Sequence, residues 1–207
     1  MRRAWWHASN WIFSTRTFYV LEYRQTEIAH LPHASAKVGI RQLTNFAAIQ
    51  QLQQAGINTS YLDTALSRQR ILAGSVAWLV IQNDEVAFTC WVSCNSKQGI
   101  DILGPFLRLE EAWYIGDCYT SPRYRGRGLY HAALLEITHA ARAQGKRVYI
   151  AVEKGHEVSL RAVKACGFQF CQIVNVKAVL GHRRFSAERI LLAAPLASDT
   201  IPPLPEE

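Results

Sequence analysis

The sequence has no long apolar run. Its longest nearly apolar stretch, residues 73–81, is far shorter than the roughly 20 residues that a membrane-spanning helix needs. Residues 1–6 are basic and aromatic, like the start of a signal peptide, but His7, Ser9 and Asn10 interrupt the apolar core that such a peptide requires. We therefore expect a protein without a membrane span that remains in the cytoplasm.

The sequence also lacks the cysteine spacing of a metal site. It has five cysteines, an odd number, with no Cys-x-x-Cys pair and no histidine cluster beside them. This pattern argues against both structural zinc and a disulfide framework. We predict reduced thiols and no bound metal for Cys90, Cys94, Cys118, Cys166 and Cys171.

Acidic residues are fewer than basic ones. The 16 acidic and 23 basic residues give a formal net charge of +7, which suits a polyanionic partner: nucleic acid, an anionic membrane surface or a phosphate-rich small molecule. With 49% hydrophobic and 19% charged residues, the composition is that of a globular protein and argues against disorder. A chain of 207 residues favours one compact domain with a sizeable core.

The hydrophobic pattern predicts strands and helices that alternate along the chain, and hence a mixed sheet flanked by helices. Thr44 is the expected N-cap of the first helix, and Ser60 with Asp63 have capping-box spacing before the second. The predicted elements are strands at 17–24 and 37–43, two helices from residues 44 and 60, a hairpin at 76–81 and 85–92, a strand at 111–120, a helix at 129–144, a strand at 147–152, a helix at 156–166 and a hairpin at 168–179 and 183–192.

The segment from Asp117 to Tyr130 carries the clearest chemical signal. It reads DCYTSPRYRGRGLY, in which a strand ends at a proline, a loop of arginines and glycines follows, and a helix begins. Glycines let the backbone approach a ligand closely, and the helix N-terminus adds a positive dipole, so the segment is suited to hold an anion. It has neither the Gly-Lys-Ser/Thr of a P-loop nor the Gly-x-Gly-x-x-Gly of a dinucleotide site.

This segment resembles the coenzyme A loop of GNAT acyltransferases, whose signature is Arg/Gln-x-x-Gly-x-Gly/Ala. The signature fits literally from Arg123 to Gly128. It also fits from Arg125 to Tyr130 except at the last position. We prefer the second alignment, because Pro122 then has the usual spacing before the arginine.

A second motif strengthens the resemblance, which covers residues 36–193. Family members usually have Asn-x-x-Ser/Ala after the next strand, followed by a helix that ends in Gly-Phe. Here Ser159 and Gly167-Phe168 match, whereas His156 replaces the usual Asn. Val163 occupies a place where a tyrosine often serves as general acid.

The resemblance implies a GNAT-like α/β fold: a mostly antiparallel central sheet, flanked by helices and splayed between two parallel strands. The pantetheine arm of acetyl-CoA would pair with backbone in the gap, and a backbone N–H near Tyr119 or Thr120 would polarise the thioester. We divide the chain into an extension at 1–35, the acyltransferase domain at 36–193 and a flexible tail at 194–207. The implied coenzyme residues are Cys118, Tyr119, Thr120, Arg125, Gly126, Arg127, Gly128, Leu129, Tyr130, His156 and Ser159.

The general base is less clear from the sequence. Relatives often place an acidic or histidine residue at the positions of Tyr114 or Gly116, so the common base is missing. Tyr114 and Asp117 are the candidate catalytic residues, with Glu153 or a water chain as alternatives. Strand alternation places Asp117 on the opposite face from Tyr114 and Cys118.

The expected reaction is direct transfer of an acetyl group from acetyl-CoA to a primary amine, for which an amino sugar is one candidate. Three alternatives stay open: a GNAT relative that transfers a larger group, such as a fatty or aminoacyl group; a GNAT-fold module that binds coenzyme A without catalysis; and a basic nucleic-acid-binding protein. The arginines argue against nucleic acid, because they concentrate in one loop and do not form an aromatic-interleaved stripe. The edge of the final hairpin could pair two subunits into a homodimer.

Overall fold

A computed structural model describes residues 13–24, 39–62, 64–94, 112–179 and 182–189. Outside these ranges lie residues 1–12, 25–38 and 194–207, which include most of the predicted extension and the whole predicted tail. Asp63 also lies outside them. The strands are β1 (Phe13–Tyr23), β2 (Ile40–Leu43), β3 (Val76–Gln82), β4 (Glu85–Ser93), β5 (Ala112–Thr120), β6 (Arg147–Glu153), β7 (Phe168–Val179) and β8 (His182–Arg189). The helices are α1 (Phe46–Gln54), α2 (Ala65–Leu72), α3 (Leu129–Ala143) and α4 (Glu157–Ala165), and a short 3-10 turn spans Pro122–Tyr124.

The strands form one mixed sheet with the order β2-β3-β4-β5-β6-β1-β7-β8. Each neighbouring pair is antiparallel except β5 and β6, which run parallel. The predicted fold class, a mostly antiparallel sheet flanked by helices with one parallel pair, is therefore confirmed. In the described part of the chain, no helix is long and apolar enough to cross a membrane.

β1 lies inside this sheet. It pairs with β6 from Phe18 to Glu22 and with β7 along its whole length. The sequence placed the strand in a separate extension at 1–35, but here residues 13–23 are the only bridge between β6 and β7 among the described strands. Local patterns predict that a strand exists, whereas its neighbours in the sheet are set by long-range pairing.

Each face of the sheet carries a hydrophobic core. The larger one lies under α3 and α4 and contains Leu134, Ile137 and Val163 from those helices. The other face carries two smaller clusters, one on β5, β6, β1 and β7 and one under α1 and α2. We call these the α3 face and the α2 face, respectively.

The first two helices begin one to four residues later than the sequence suggested. Asn45 caps α1, with its side chain accepting a hydrogen bond from the backbone N–H of Ala48 at 2.9 Å. Thr64 caps α2 by accepting from the N–H of Ser67 at 3.0 Å. Thr44 and Ser60 are not the capping residues, because several adjacent polar residues could cap and only the backbone conformation selects one.

Candidate coenzyme and acceptor cleft

The loop between β5 and α3 forms a concave backbone turn. After the 3-10 turn, Gly126 and Gly128 adopt φ angles of +74° and +73°. Gly128 is the N-cap residue of α3, and no side chain in the described part of the chain caps the helix there. The N–H groups of the first helical turn therefore face outward with the positive end of the helix dipole. A Cβ at either glycine would meet no atom of the described residues within 4 Å, so these residues leave space for a ligand at the turn.

Tyr124 anchors this turn to the body of the protein. Its side chain is 1% exposed, and its hydroxyl donates to the carbonyl oxygen of Gln82 at 3.0 Å. The side-chain amide of Asn83 donates to the same hydroxyl at 3.2 Å. Because Gln82 and Asn83 lie at the turn between β3 and β4, these bonds fix the height of the glycine turn above the sheet.

The three loop arginines have different partners. Arg123 forms an ion pair with Glu85 at 3.2 Å, and Arg127 stacks on the ring of Tyr124 at 5.1 Å. The Nε of Arg125 donates to the carbonyl oxygen of Thr120 at 3.2 Å, which bridges the two ends of the loop. Arg125 and Arg127 thus keep charged groups beside the glycine turn, whereas the charge of Arg123 is balanced by a carboxylate.

A cleft opens between the carboxyl ends of β5 and β6. The parallel pairing runs from Ala112 with Arg147 to Ile115 with Ile150 and stops there, although β5 continues to Thr120. Beyond Ile115, the backbone groups of β5 that face β6 have no strand partner among the residues that the structure describes. Unpaired backbone groups next to an anion-binding turn are suited to an extended ligand with a phosphate end.

A bulge in β5 changes which side chains reach each face. Trp91 pairs with Gly116 and Thr89 with Tyr119, so two residues of β5 oppose Cys90 alone. The inserted residue is Asp117, with φ of +46°. Cys118 consequently packs on the α3 face. Asp117 reaches α2 on the other side, the same side as Tyr114. Strand alternation correctly placed Asp117 opposite Cys118, but it also placed Asp117 opposite Tyr114, because it assumes an unbroken pleat.

Tyr114 marks the inner end of the cleft. It is buried, and its ring lies where a Cβ on Gly116 would approach its Cε1 to 3.0 Å. Burial raises the pKa of the Tyr114 hydroxyl, and a backbone hydrogen bond at Ala151 offsets this only in part. The hydroxyl therefore stays protonated at neutral pH, which makes it a hydrogen-bond donor rather than a base.

Both carboxylates at the cleft are held by arginines. Asp117 pairs with Arg70 of α2, which also stacks on the ring of Trp91 at 5.3 Å. Glu153 accepts two bonds from Arg16 of β1, at 2.7 and 2.6 Å. The Arg16 side chain lowers the pKa of Glu153. A carboxylate with a lowered pKa is a weaker base, so this pairing argues against Glu153 as the general base.

The Arg16 pair makes a pH-dependent contribution to stability. Since the folded-state pKa of Glu153 is lowered, the stabilisation is present above the unfolded value of about 4.3 and is lost as the pH falls through the folded value. We expect Glu153→Gln to be less stable than the wild type at pH 7 by less than about 1 kcal/mol, since the pair is partly exposed. In urea unfolding, the difference in unfolding free energy between the two proteins should become smaller from pH 7 to pH 3. A difference that grows over this range would contradict the assignment.

Thiols and a phenol fill the space behind the loop. Tyr130 packs against Phe88 at a ring distance of 6.1 Å, and Tyr130, Cys118 and Cys90 all belong to the core on the α3 face. Burial is the main cause that raises the pKa of Tyr130. The side chain of Tyr130 thus belongs to the floor of the cleft, and the five cysteines are free thiols.

The second motif lies across the cleft at the start of α4. His156 is exposed at the N-cap position without a side-chain cap bond, and Ser159 is half-buried in the first turn. Val163 is fully buried in the core, so it contributes no proton donor. The structure therefore brings the second motif and the glycine turn to the same end of the sheet, the end where β5 and β6 diverge.

Four residues near the cleft were not predicted from the sequence. Arg16 and Arg70 hold the two carboxylates, and Tyr61 and Thr89 lie next to Tyr119 on the α2 face. None belongs to a recognisable motif, and each comes from a different element. Only the pairing of distant strands and helices brings them together.

The comparisons with known proteins agree with this geometry. Residues 72–168 match the model of the acetyltransferase (GNAT) family. An acetyltransferase of the GNAT family from Colwellia psychrerythraea superposes with a TM-score of 0.54 at 15% identity, covering 80% of this chain and 56% of that one. A putative GNAT acetyltransferase from Novosphingobium aromaticivorans gives 0.53 at 14% identity, covering 78% and 63%.

At such low identity these structures support the fold alone, and this chain spans less than two thirds of their length. Among curated proteins, none matches the sequence significantly. The family match nevertheless includes β5, the glycine turn, α3, β6 and α4, which are the elements that form the cleft. Residues 72–168, slightly less than half of the chain, are therefore similar to the acetyltransferase (GNAT) family.

Proposed function

We propose that this protein is an N-acetyltransferase that moves an acetyl group from acetyl-CoA to a primary amine. One observation carries the proposal: the gap between β5 and β6 leads directly to an uncapped helix N-terminus flanked by Arg125 and Arg127. A pantetheine arm is extended and polar along its length, and a pyrophosphate is a compact dianion. The gap suits the extended pantetheine arm, and the glycine turn suits the compact pyrophosphate.

The proposed coenzyme site uses both motifs. Backbone at Cys118, Tyr119 and Thr120 would pair with the pantetheine arm. The turn residues Arg125, Gly126, Arg127 and Gly128, with Leu129 and Tyr130 behind them, would hold the pyrophosphate. His156 and Ser159 would contact the coenzyme from the start of α4.

The reaction would proceed by direct attack. The amine nitrogen adds to the thioester carbonyl carbon, the carbon–sulfur bond breaks, and coenzyme A leaves as a thiolate that is then protonated. A backbone N–H near Tyr119 or Thr120 would stabilise the oxyanion, an interaction worth about 3 kcal/mol of barrier. Holding both reactants in one cleft supplies much of the remaining acceleration.

Proton transfer is assigned to water rather than to one strong base. Among the described residues, the two carboxylates at the cleft are ion-paired and the Tyr114 hydroxyl is held neutral. In this proposal Tyr114 is a neutral donor at the inner end of the cleft. Asp117 orders water on the acceptor side, and the proton leaves the ammonium intermediate through that water.

A second candidate is a module that binds acyl-CoA without catalysis. The buried Val163 and the paired carboxylates favour it, because they leave the cleft without a general acid or a strong base among the described side chains. Calorimetric titration with acetyl-CoA, followed by an assay of coenzyme A release with an amine panel, separates the candidates. Binding without release supports the module, and no binding to acetyl-CoA or coenzyme A contradicts both.

The arginines provide a test of the loop alignment. We expect Arg125→Ala to weaken acetyl-CoA binding about tenfold, because it removes a cation beside the glycine turn. Arg123→Ala is the matched control, since Arg123 is neutralised by Glu85, and it should change the dissociation constant less than twofold. Calorimetric titration of both variants with acetyl-CoA decides between the two alignments. A larger loss of affinity in Arg123→Ala would favour the alignment that starts at Arg123.

The acceptor is proposed to be an amino sugar, in line with the sequence resemblance. A homodimer formed along the edge of β8 is a further proposal, since β8 is a terminal strand of the described sheet. Sedimentation of the purified protein tests the dimer independently of activity.

A further inference from the structure

Two cysteines face each other across the bulge in β5. Thr89 pairs with Tyr119, and one step further along the same register Cys90 lies opposite Cys118. Because Asp117 is the inserted residue, the two cysteines remain neighbours on adjacent antiparallel strands. Residues directly opposite each other on such strands have Cβ atoms about 4.5–5.5 Å apart. This is close to the Cβ separation of about 3.5–4.5 Å that a disulfide bridges.

Both thiols lie on the same face of the sheet. Cys90 is a buried member of the core on the α3 face, and Cys118 packs against that core. Burial raises the pKa of the Cys90 thiol, and the neighbouring Cys118 raises it further. An effect of one thiol on the pKa of the other requires the two sulfurs to be close. The structure therefore brings together two thiols that are both in the free, reduced form.

The two thiols differ in their access to solvent. Cys90 is 0% exposed, whereas Cys118 is half-buried beside the cleft. A reagent that arrives from solvent therefore meets Cys118 first. The thiolate is the reactive form of a cysteine, so the raised pKa protects Cys90 from direct attack by the same reagent. Cys90 is instead placed to attack the sulfur of a Cys118 that has already been modified.

The pair lies at the backbone that the proposed coenzyme would use. Pairing of β5 with β6 stops at Ile115, and Cys118 follows on the unpaired part of β5. A covalent bond to Cys90 would draw Cys118 toward β4 and away from the gap. Asp117, which has φ of +46°, would have to move with it, because the two residues are adjacent in the bulge. A disulfide here would thus change the backbone that is proposed to pair with the pantetheine arm.

We propose that Cys118 is a site of reversible oxidation by low-molecular-weight disulfides, that it forms a disulfide with Cys90, and that this bond lowers the affinity for acetyl-CoA. The effect on acetyl-CoA rests on the proposed function. The thiolate of Cys118 attacks one sulfur of glutathione disulfide, which forms a mixed disulfide and releases one glutathione. Cys90 loses its proton to solvent and attacks the Cys118 sulfur, which releases the second glutathione. Two protein thiols are oxidised, and one glutathione disulfide is reduced to two glutathione molecules.

The test equilibrates the purified protein in glutathione buffers of increasing oxidised fraction, alkylates the remaining thiols and maps the disulfides by mass spectrometry. The wild type should form a bond between Cys90 and Cys118 that dithiothreitol reverses. Cys90→Ala should instead accumulate glutathione on Cys118, because the second step is lost. Cys171→Ala is the matched control: Cys171 is also half-buried but packs on the other face, so this variant should form the same disulfide as the wild type.

Acetyl-CoA provides a readout that an incidental disulfide would not move. Calorimetric titration should show that the oxidised wild type binds acetyl-CoA at least tenfold more weakly than the reduced protein. Since coupling between two equilibria is reciprocal, bound acetyl-CoA must then oppose the disulfide by the same factor. Acetyl-CoA that saturates both forms should therefore raise the midpoint potential of the pair by at least about 30 mV.

Three results would overturn the inference: no disulfide between Cys90 and Cys118, an unchanged affinity for acetyl-CoA after the disulfide has formed, or a midpoint potential that acetyl-CoA does not shift. Failure of the reduced wild type to bind acetyl-CoA would instead remove the proposed function, and with it the effect on the coenzyme. Disulfide mapping needs no coenzyme, so it would still decide whether Cys118 is the oxidation site.

Discussion

Gly128→Glu is expected to abolish acetyl-CoA binding, with a loss of at least about 100-fold in affinity, or ~3 kcal/mol. Gly128 is the N-cap residue of α3, where the first helical N–H groups and the helix dipole face the proposed pyrophosphate position. A glutamate there adds a negative charge against the phosphates and a side chain in the space that they would occupy. Calorimetric titration of acetyl-CoA into both proteins measures the difference.

The control for this variant is Gly145→Glu at the other end of the same helix. Gly145 has φ of +66° against +73° for Gly128, and at neither glycine would a Cβ have an atom of the described ranges within 4 Å. Both variants therefore carry a similar backbone strain of about 1–2 kcal/mol, but only one changes the loop. Gly145→Glu should bind acetyl-CoA like the wild type. Equal losses in the two variants would mean that strain, not the anion site, is responsible.

Tyr124→Ala is expected to lower the free energy of unfolding by about 3–5 kcal/mol, as is typical when a fully buried aromatic ring is removed. The ring is 1% exposed in the core under α3, and its hydroxyl bonds to Gln82 and Asn83. Removing it would leave a cavity beneath the glycine turn and remove the hydroxyl that donates to the part-buried carbonyl of Gln82. Urea unfolding followed by circular dichroism measures the loss.

Tyr124→Phe separates the two contributions. It keeps the ring and removes only the hydroxyl, so we expect a loss of about 1–3 kcal/mol. Because the hydroxyl ties the loop to the β3–β4 turn, this variant should also bind acetyl-CoA more weakly while still folded. Tyr23→Phe, on a ring packed against Phe168 far along β1, should leave acetyl-CoA binding unchanged. A stability loss in Tyr124→Ala below 1 kcal/mol would contradict the anchoring role.

Much of the fold could be predicted because it depends on local patterns. The helix at 129–143 follows from apolar residues at helical spacing and the glycines at its two ends. The hairpin of β3 and β4 follows from two β-rich runs around Asn83-Asp84, both of which adopt positive φ. The glycine turn could also be predicted, because its residues are contiguous in sequence.

The capping residues and the bulge were harder to predict from the sequence. Thr44 and Asn45 are both good N-caps, and the difference between them is smaller than the energy of packing α1 on the sheet. The bulge at Asp117 depends on the register between β4 and β5 on either side of it. A register is a property of two strands, so the pattern of one strand does not reveal an extra residue.

The sequence by itself determined the order of strands and helices, the glycine turn with its arginines, and the family that these motifs indicate. Each of these depends on residues close together in the chain, where backbone preference and hydrophobic spacing act. The tertiary structure decided that β1 lies between β6 and β7, that Arg16 and Arg70 hold the two carboxylates, and that Tyr61 meets Tyr119. These contacts join residues far apart in sequence, and packing and strand register, which no local segment encodes, bring them together.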